Sequence, residues 1–115
     1  MQGAALNYVA LFSGILIGAA GQLLLKTGAV RAGDAASQLI DGFTLMGLLA
    51  YGAAAILYII AIRRIPLSIA YPTVSLGYGV VVIAAHYLWD EHIGWSQIIG
   101  MMLIWSGIYM LHRSY

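Results

Sequence analysis

Four long apolar stretches alternate with short polar segments along the chain. The stretches run over residues 4–26, 42–62, 66–88 and 95–112. A helix needs about 20 predominantly apolar residues to cross the hydrocarbon core of a bilayer. The charged residues fall between these stretches or at their ends. The pattern therefore predicts an all-α membrane protein, a single domain of four transmembrane helices.

The connections and helix-breaking residues refine this picture. Residues 27–41 are small and polar, and we expect a loop there with a partial turn of helix. Pro66 begins the third helix, and Pro72, Gly77 and Gly79 lie further along it. Such residues either give a helix a flexible hinge or serve only its packing against neighbouring helices, since glycine and proline are common in membrane helices. Pro72, Gly77 and Gly79 are therefore hinge candidates.

Composition supports integration into a membrane. Of the 115 residues, 63% are hydrophobic and 8% are charged, and the mean hydropathy is +0.93. A soluble domain is about 25% charged, and a soluble chain this short could not bury so much apolar surface. The net charge of +1 gives no reason to expect nucleic acid as a partner. The chain begins without a basic segment before its first apolar stretch, so we expect no cleavable signal peptide.

Basic residues give a weak orientation signal. Four spans place both termini on one side, with Arg63, Arg64 and Arg113, and leave Lys26 and Arg31 on the other. Because cytoplasmic segments are enriched in lysine and arginine, this distribution favours cytoplasmic termini. The near balance leaves dual topology open.

A polar stripe runs along the end of the first predicted helix. Gly18, Gln22 and Lys26 are four residues apart and therefore share a helix face. Polar groups inside a membrane are costly and usually face protein or a water-filled cavity. The stripe carries no carboxylate. Lys26 is either part of a binding site or a lysine whose ammonium group reaches the membrane surface.

Tyrosines and a serine occupy faces of the next two helices. Tyr51 and Tyr58 are seven residues apart on the second helix, and Tyr71, Ser75 and Tyr78 share a face of the third. Buried tyrosine hydroxyls usually find a hydrogen-bond partner. These residues predict a cavity that is polar but nearly uncharged.

Two charged residues near helix ends are further candidates. Arg63 either contacts an anionic ligand or only sets the topology. Glu91 is either a solvated loop residue, a partner of Lys26, or a site for a cationic group at the membrane edge. The residues contain no metal-ligand cluster, catalytic triad or phosphate-binding loop, so we expect neither an enzyme nor a cofactor or metal site.

The last predicted helix carries small residues on one stripe. Gly100, Ile104 and Gly107 share this stripe, and glycines seven apart let another helix approach closely. Such a stripe is more typical of a packing or dimer face than of a binding site. Four short helices are also too few to enclose a transport pathway alone, so we expect a dimer.

Two motifs resemble the small multidrug resistance family of the drug/metabolite transporter superfamily. They comprise residues 65–71 with Ser75 and Gly79, and residues 98–104 with Gly107. The resemblance covers nearly the whole chain. It implies four-helix protomers in an antiparallel dimer, with the first three helices around the pocket and the fourth as the dimer contact.

Two positions depart from the drug-exporting branch of that family. Its first-helix glutamate, which binds protons and cations in turn, falls at Gly18, and its third-helix tryptophan falls at Val74. Losing the glutamate removes the charge on which proton/cation exchange depends. The position therefore argues against an organic cation as substrate.

Other motifs are similar to the small subunits that flip aminoarabinose linked to undecaprenyl phosphate. They are residues 20–22 with Lys26, residues 65–72 with Ser75 and Leu76, and residues 88–91. This resemblance implies a multi-pass protein of the bacterial inner membrane that contacts membrane lipid and a polyprenyl-phosphate sugar. Its protein partner would be a second copy or a related small subunit.

In this interpretation each candidate has a role. Gly18 leaves room where a glutamate would repel phosphate. Lys26 meets phosphate, with Arg63 or Arg64 as a further cation. Either Asp90 or Glu91 meets an amine if the sugar has one. The remaining candidates contact the sugar or edge the cavity: Gln22, Tyr51, Tyr58, Tyr71, Ser75 and Tyr78. Two alternatives remain open, namely a proton-coupled exporter of small cations or metabolites that uses His86 or Glu91, and a non-transporting membrane partner of a larger complex.

Overall fold

All regular structure that the computed structural model describes, over residues 2–113, is helical. In chain order the helices are α1 (Gln2–Arg31), α2 (Ala35–Ile40), α3 (Gly42–Ala61), α4 (Leu67–Thr73), α5 (Gly77–Trp89) and α6 (Trp95–Arg113). One turn of 3-10 helix, Val74–Leu76, joins α4 to α5. The predicted all-α membrane fold is confirmed.

Three helical stretches in the described part of the chain are long and apolar enough to cross a membrane. They are Ala5–Arg31, Gly42–Ala61 and Leu67–Trp89. The fourth predicted span is α6, whose 19 residues give a length of about 28 Å. It carries more polar residues and is not among the three, so its membrane crossing stays a prediction.

The first helix is longer than the sequence pattern predicts. It continues to Arg31, whereas the apolar stretch ends at Lys26. The extra turn packs on the start of α3, where Gly28 lies directly against Thr44. Arg31 also donates from Nε to Asp41 Oδ2 at 3.4 Å. Packing against α3 therefore extends α1 beyond its apolar segment.

Two aspartates set the helix starts in the connection between α1 and α3. Asp34 caps α2, the expected partial turn, by accepting from the Ser37 amide at 2.8 Å. That hydrogen bond stabilises the carboxylate and lowers the pKa of Asp34. Asp41 caps α3 by accepting from the Phe43 amide at 2.9 Å. Both caps satisfy backbone donors that a helix start leaves open.

Small residues bring the antiparallel helices α1 and α3 into close contact. This glycine seam consists of Gly14, Gly21 and Gly28 on α1 and of Thr44, Gly47 and Ala54 on α3. A Cβ at Gly21 would lie 3.2 Å from the Gly47 carbonyl oxygen, and one at Gly47 would lie 2.9 Å from the Leu25 side chain. The two backbones approach because neither glycine carries a side chain.

The buried core lies at the end of the bundle that holds the α3–α4 turn. Its apolar cluster is Ala10, Leu11, Ile15, Ala61, Ile65, Ile69 and Ala70. Asn7 donates from Nδ2 to the Ile60 carbonyl oxygen at 2.7 Å beside this cluster. Nearby, Thr73 Oγ1 and His112 Nε2 lie 3.0 Å apart and connect α4 to α6.

Charge is distributed unequally between the two ends of the bundle. All four acidic residues lie in the α1–α3 and α5–α6 connections, at the same end as Lys26 and Arg31, so the formal side-chain charge there is −2. The opposite end carries Arg63, Arg64 and Arg113, a formal charge of +3. The connections at the two ends of the bundle therefore carry net charges of opposite sign.

Candidate functional site

A cavity of about 820 Å³ lies between α1, α3, the α4–α5 region and α6. Seven of the ten predicted binding residues line it: Gly18, Gln22, Tyr51, Tyr58, Tyr71, Ser75 and Tyr78. They come from three different helical segments, as the helix-face analysis predicted. Their roles toward a ligand are not tested by this placement.

The described lining of the cavity is mostly apolar, and the polar groups within it are uncharged. Its polar side chains are the four tyrosines, one serine and two glutamines, and it includes no carboxylate and no cation. Hydroxyl and amide groups both donate and accept hydrogen bonds. The cavity is less polar than the sequence predicts, because apolar side chains occupy most positions between the polar ones. Its polar groups can hydrogen-bond a head group at a few points, and the lining carries no charge that would repel an anion.

Gln97 in the first turn of α6 is the second of these amides. Gln97 was not predicted from the sequence, because the predicted stripe on this helix begins only at Gly100. Gln97, Gly100 and Ile104 are spaced three and four residues apart, so all three share one helix face. Extending the stripe by one turn toward the N-terminus would have identified Gln97.

Tyr58 is the most constrained of the lining tyrosines. Its hydroxyl oxygen is buried and has no hydrogen-bond partner among the described residues. The side chain packs against the buried cluster at the level of Leu11 and Gly14. A buried hydroxyl without a partner costs about 1–3 kcal/mol, so this group lowers the stability of the fold and is not accessible from the cavity.

Ser75 and the hinge candidates lie where the third membrane segment changes its helical pitch. Ser75 donates from Oγ to the Pro72 carbonyl oxygen at 2.6 Å, within the turn that joins α4 to α5. Gly77 lines the cavity and packs on Ile15. A Cβ at Gly79 would lie 2.5 Å from Trp105 Cζ2. Gly79 therefore has a packing role, and flexing at these residues stays a prediction.

Three predicted binding residues lie outside the described cavity lining. Lys26 is one helical turn beyond Gln22 and faces Glu91, with Nζ and Oε2 3.4 Å apart. Arg63 is exposed in the turn after α3, at the other end of the bundle. Because α3 is about 30 Å long, Lys26 and Arg63 of one protomer cannot meet the same phosphate. The structure does not bring these two cations together.

The backbone of the α5–α6 connection determines where Glu91 lies. Asp90 ends α5 in the left-handed conformation, with φ 57° and ψ 34°. His86 donates from Nδ1 to the Glu91 carbonyl oxygen at 2.8 Å. The chain reverses at this point, and the Glu91 side chain turns toward α1.

The small-residue stripe of α6 has two environments. Gly100 and Ile104 line the cavity, whereas Gly107 is exposed and outside that lining. A Cβ at either glycine would meet no atom within 4 Å among those described. The resemblance implied a pocket formed by the first three helices, but here α6 forms one of its walls. The predicted dimer contact is untested by these placements.

Comparison with known proteins places the chain among transporters. The sequence profile of the EamA-like transporter family matches residues 4–113. A protein of Enterobacter sp. (strain 638) named as a probable 4-amino-4-deoxy-L-arabinose-phosphoundecaprenol flippase subunit, ArnE, is 31% identical over 106 residues, which cover 92% of this chain and 96% of that protein.

Two further relatives carry similar names. The probable ArnF subunit of Erwinia tasmaniensis is 38% identical over 89% of this chain and 90% of its own length. The probable ArnE subunit of Sodalis glossinidius is 33% identical over 88% of this chain and 92% of its own length. No solved structure matches the chain.

Proposed function

The chain belongs to the EamA-like transporter family, and from that premise we propose that it is a flippase subunit for an undecaprenyl-phosphate-linked sugar. Its relatives are named as transporter subunits and not as enzymes. Aminoarabinose is the first sugar to test, because the relatives' names specify it. The proposed location is the inner membrane of a bacterium.

The observation that carries this proposal is a mostly apolar cavity with hydroxyl and amide groups but no charged group in its described lining. A lipid-linked sugar has an anionic phosphate, a polar ring and a long apolar tail. The tail can stay in the bilayer while the head group crosses beside Gln22, Tyr58 and Gln97, all of which line the cavity. A carboxylate at Gly18 would repel the phosphate, and the glycine avoids that cost.

The same cavity disfavours an exporter of cations. Proton-coupled cation exchange depends on an ionisable acid that cation and proton occupy in turn. The cavity lining, as far as it is described, contains no aspartate or glutamate. His86 is outside this lining and is engaged with the Glu91 backbone.

We further propose that the working unit is a dimer. The chain is similar both to a subunit named ArnE and to one named ArnF, which supports pairing with a related small subunit in addition to self-pairing. An antiparallel arrangement is the form that the resemblance to small multidrug resistance proteins implies. A partner would supply the second half of the transport pathway.

The test is flipping of an undecaprenyl-phosphate sugar in proteoliposomes, with and without the related subunit. Membrane-impermeant periodate oxidises the sugar diol only in the outer leaflet, so it reports the head groups that have crossed. We expect Gln22→Ala and Tyr71→Phe, two changes at lining residues, to slow flipping about fivefold each, the effect of losing about 1 kcal/mol. Lys26→Ala should slow it as well, since it removes the cation nearest Gln22.

Matched controls separate binding from folding. Gln38→Ala and Tyr87→Phe change the same residue types outside the cavity lining and should leave flipping unchanged. Tyr71→Phe should not lower the melting temperature, because the Tyr71 side chain is 74% exposed. Full flipping by all three cavity-side variants would refute the site, and proton-driven export of an aromatic cation would refute the function.

A further inference from the structure

The ion pair between Lys26 and Glu91 is accessible and loosely made. Its Nζ and Oε2 atoms are 3.4 Å apart, and the two side chains are 47% and 49% exposed. Charge-assisted hydrogen bonds between such groups are typically about 2.7–2.9 Å long, and exposed pairs of this kind contribute little to stability. The pair can therefore open at small cost.

The pair lies beside the cavity and joins two of its walls. Lys26 continues the α1 face on which Gly18 and Gln22 line the cavity. Glu91 belongs to the connection that leads into α6, where Gln97 also lines the cavity. Lys26 lies one helical turn beyond Gln22, so a head group bound at Gln22 would have its charged groups near the ion pair.

We propose that Lys26 and Glu91 select a zwitterionic head group by exchanging partners with it. This inference rests on the proposed function. The substrate's phosphate takes the Lys26 ammonium, its protonated amine takes the Glu91 carboxylate, and the protein ion pair opens. Two charge pairs replace one without a net change in charge, so no ion is left unpaired at the membrane surface.

The same exchange rejects head groups that carry only one charge. A phosphate-linked sugar without an amine would take Lys26 and leave Glu91 unpaired beside an anion. Glu91 would then lack an ion-pair partner and would repel the phosphate. Such a penalty against the wrong ligand produces specificity. Glu91 is thus the specificity-determining residue and Lys26 the residue that binds phosphate.

The test compares two substrates that differ in one charge. Aminoarabinose on undecaprenyl phosphate and its N-acetyl derivative, which has lost the positive charge, are assayed with periodate as above. We expect wild type to flip the free amine about tenfold faster, the effect of one charged contact. Glu91→Gln should reduce this ratio to about 1, because Lys26 then accepts either phosphate without a neighbouring carboxylate.

Control variants address the carboxylate and the cation separately. Asp90→Asn removes the adjacent carboxylate, and asparagine tolerates the left-handed conformation of that position, so the ratio should stay near wild type. Lys26→Gln should slow both substrates about tenfold, whereas Lys26→Arg keeps the charge and should retain most of the rate.

The outcomes separate this inference from the proposed function. If wild type flips neither lipid, the proposed function fails. If it flips both equally, or if Glu91→Gln keeps the wild-type ratio, only the partner exchange is overturned. Phosphatidylethanolamine also carries both charges, so vesicles with and without it are compared. If it slows wild type but not Glu91→Gln, the pair binds ordinary phospholipid and its assignment to the sugar is overturned.

Discussion

Two sets of glycines with the same seven-residue spacing have opposite environments in this molecule. In the glycine seam, a Cβ at Gly21 or Gly47 would approach the facing helix to about 3 Å. On α6, a Cβ at Gly100 or Gly107 would meet nothing within 4 Å in the described structure. One repeat closes a contact between helices, and the other leaves open space.

The difference shows what a glycine repeat specifies. Removing side chains at every second turn makes a groove along a helix, but the groove is filled only where a second helix presents matching small residues. Gly47 and Ala54 supply that match for α1. Among the described residues of one protomer, nothing supplies it for α6, so the α6 groove is available to a partner or to a ligand.

The largest effect is expected from filling the seam. Gly47→Leu should lower the free energy of unfolding by about 3 kcal/mol, since its side chain would overlap Leu25 and the Gly21 carbonyl oxygen. Gly52→Leu on the same helix is the control, because its Cβ faces open space. Thermal unfolding in detergent measures both, and equal melting temperatures for the two variants would contradict the comparison.

A smaller effect is expected from filling the open groove. Gly100→Leu combined with Gly107→Leu should leave protomer stability unchanged and weaken the proposed dimer about tenfold, which corresponds to about 1.4 kcal/mol. Analytical ultracentrifugation in detergent gives the dimer fraction, with Gly52→Leu again as control. A dimer of wild-type affinity would remove α6 from the contact.

The smallest effect concerns Gly79, the one tight glycine that faces α6 among those described. Gly79→Ala should cost about 1 kcal/mol, because the new methyl group meets the Trp105 ring. Trp105→Phe removes the atoms that it meets, so the cost of Gly79→Ala should largely disappear in that background. A double-mutant cycle measures this coupling, and additive costs would show that the contact is energetically unimportant.

Helix periodicity explains why most of the cavity could be predicted. Residues three or four apart on a helix share a face wherever the helix packs, so Gln22, Tyr58 and Tyr78 were identified without knowledge of their neighbours. The apolar length of each stretch likewise predicted the α3, α4–α5 and α6 segments to within one residue at each end.

The features that escaped prediction depend on contacts between helices. The extra turn of α1 exists because Gly28 packs on Thr44, and no property of residues 27–31 alone indicates that contact. The distance between Lys26 and Arg63 follows from the antiparallel course of the chain. The glycine seam was missed because only the α1 face with Gly18, Gln22 and Lys26 was followed, and Gly21 lies on another face.

The opposite charges at the two ends of the bundle make the protomer an electric dipole along the membrane normal. Its ends carry formal side-chain charges of −2 and +3. A membrane potential therefore favours one orientation of the protomer over the other, since moving one elementary charge across 100 mV changes the free energy by about 2.3 kcal/mol. A second protomer in the opposite orientation would cancel the dipole, and a parallel one would double it. The insertion free energy of an antiparallel pair would therefore depend little on the membrane potential, whereas that of a single protomer would depend on it.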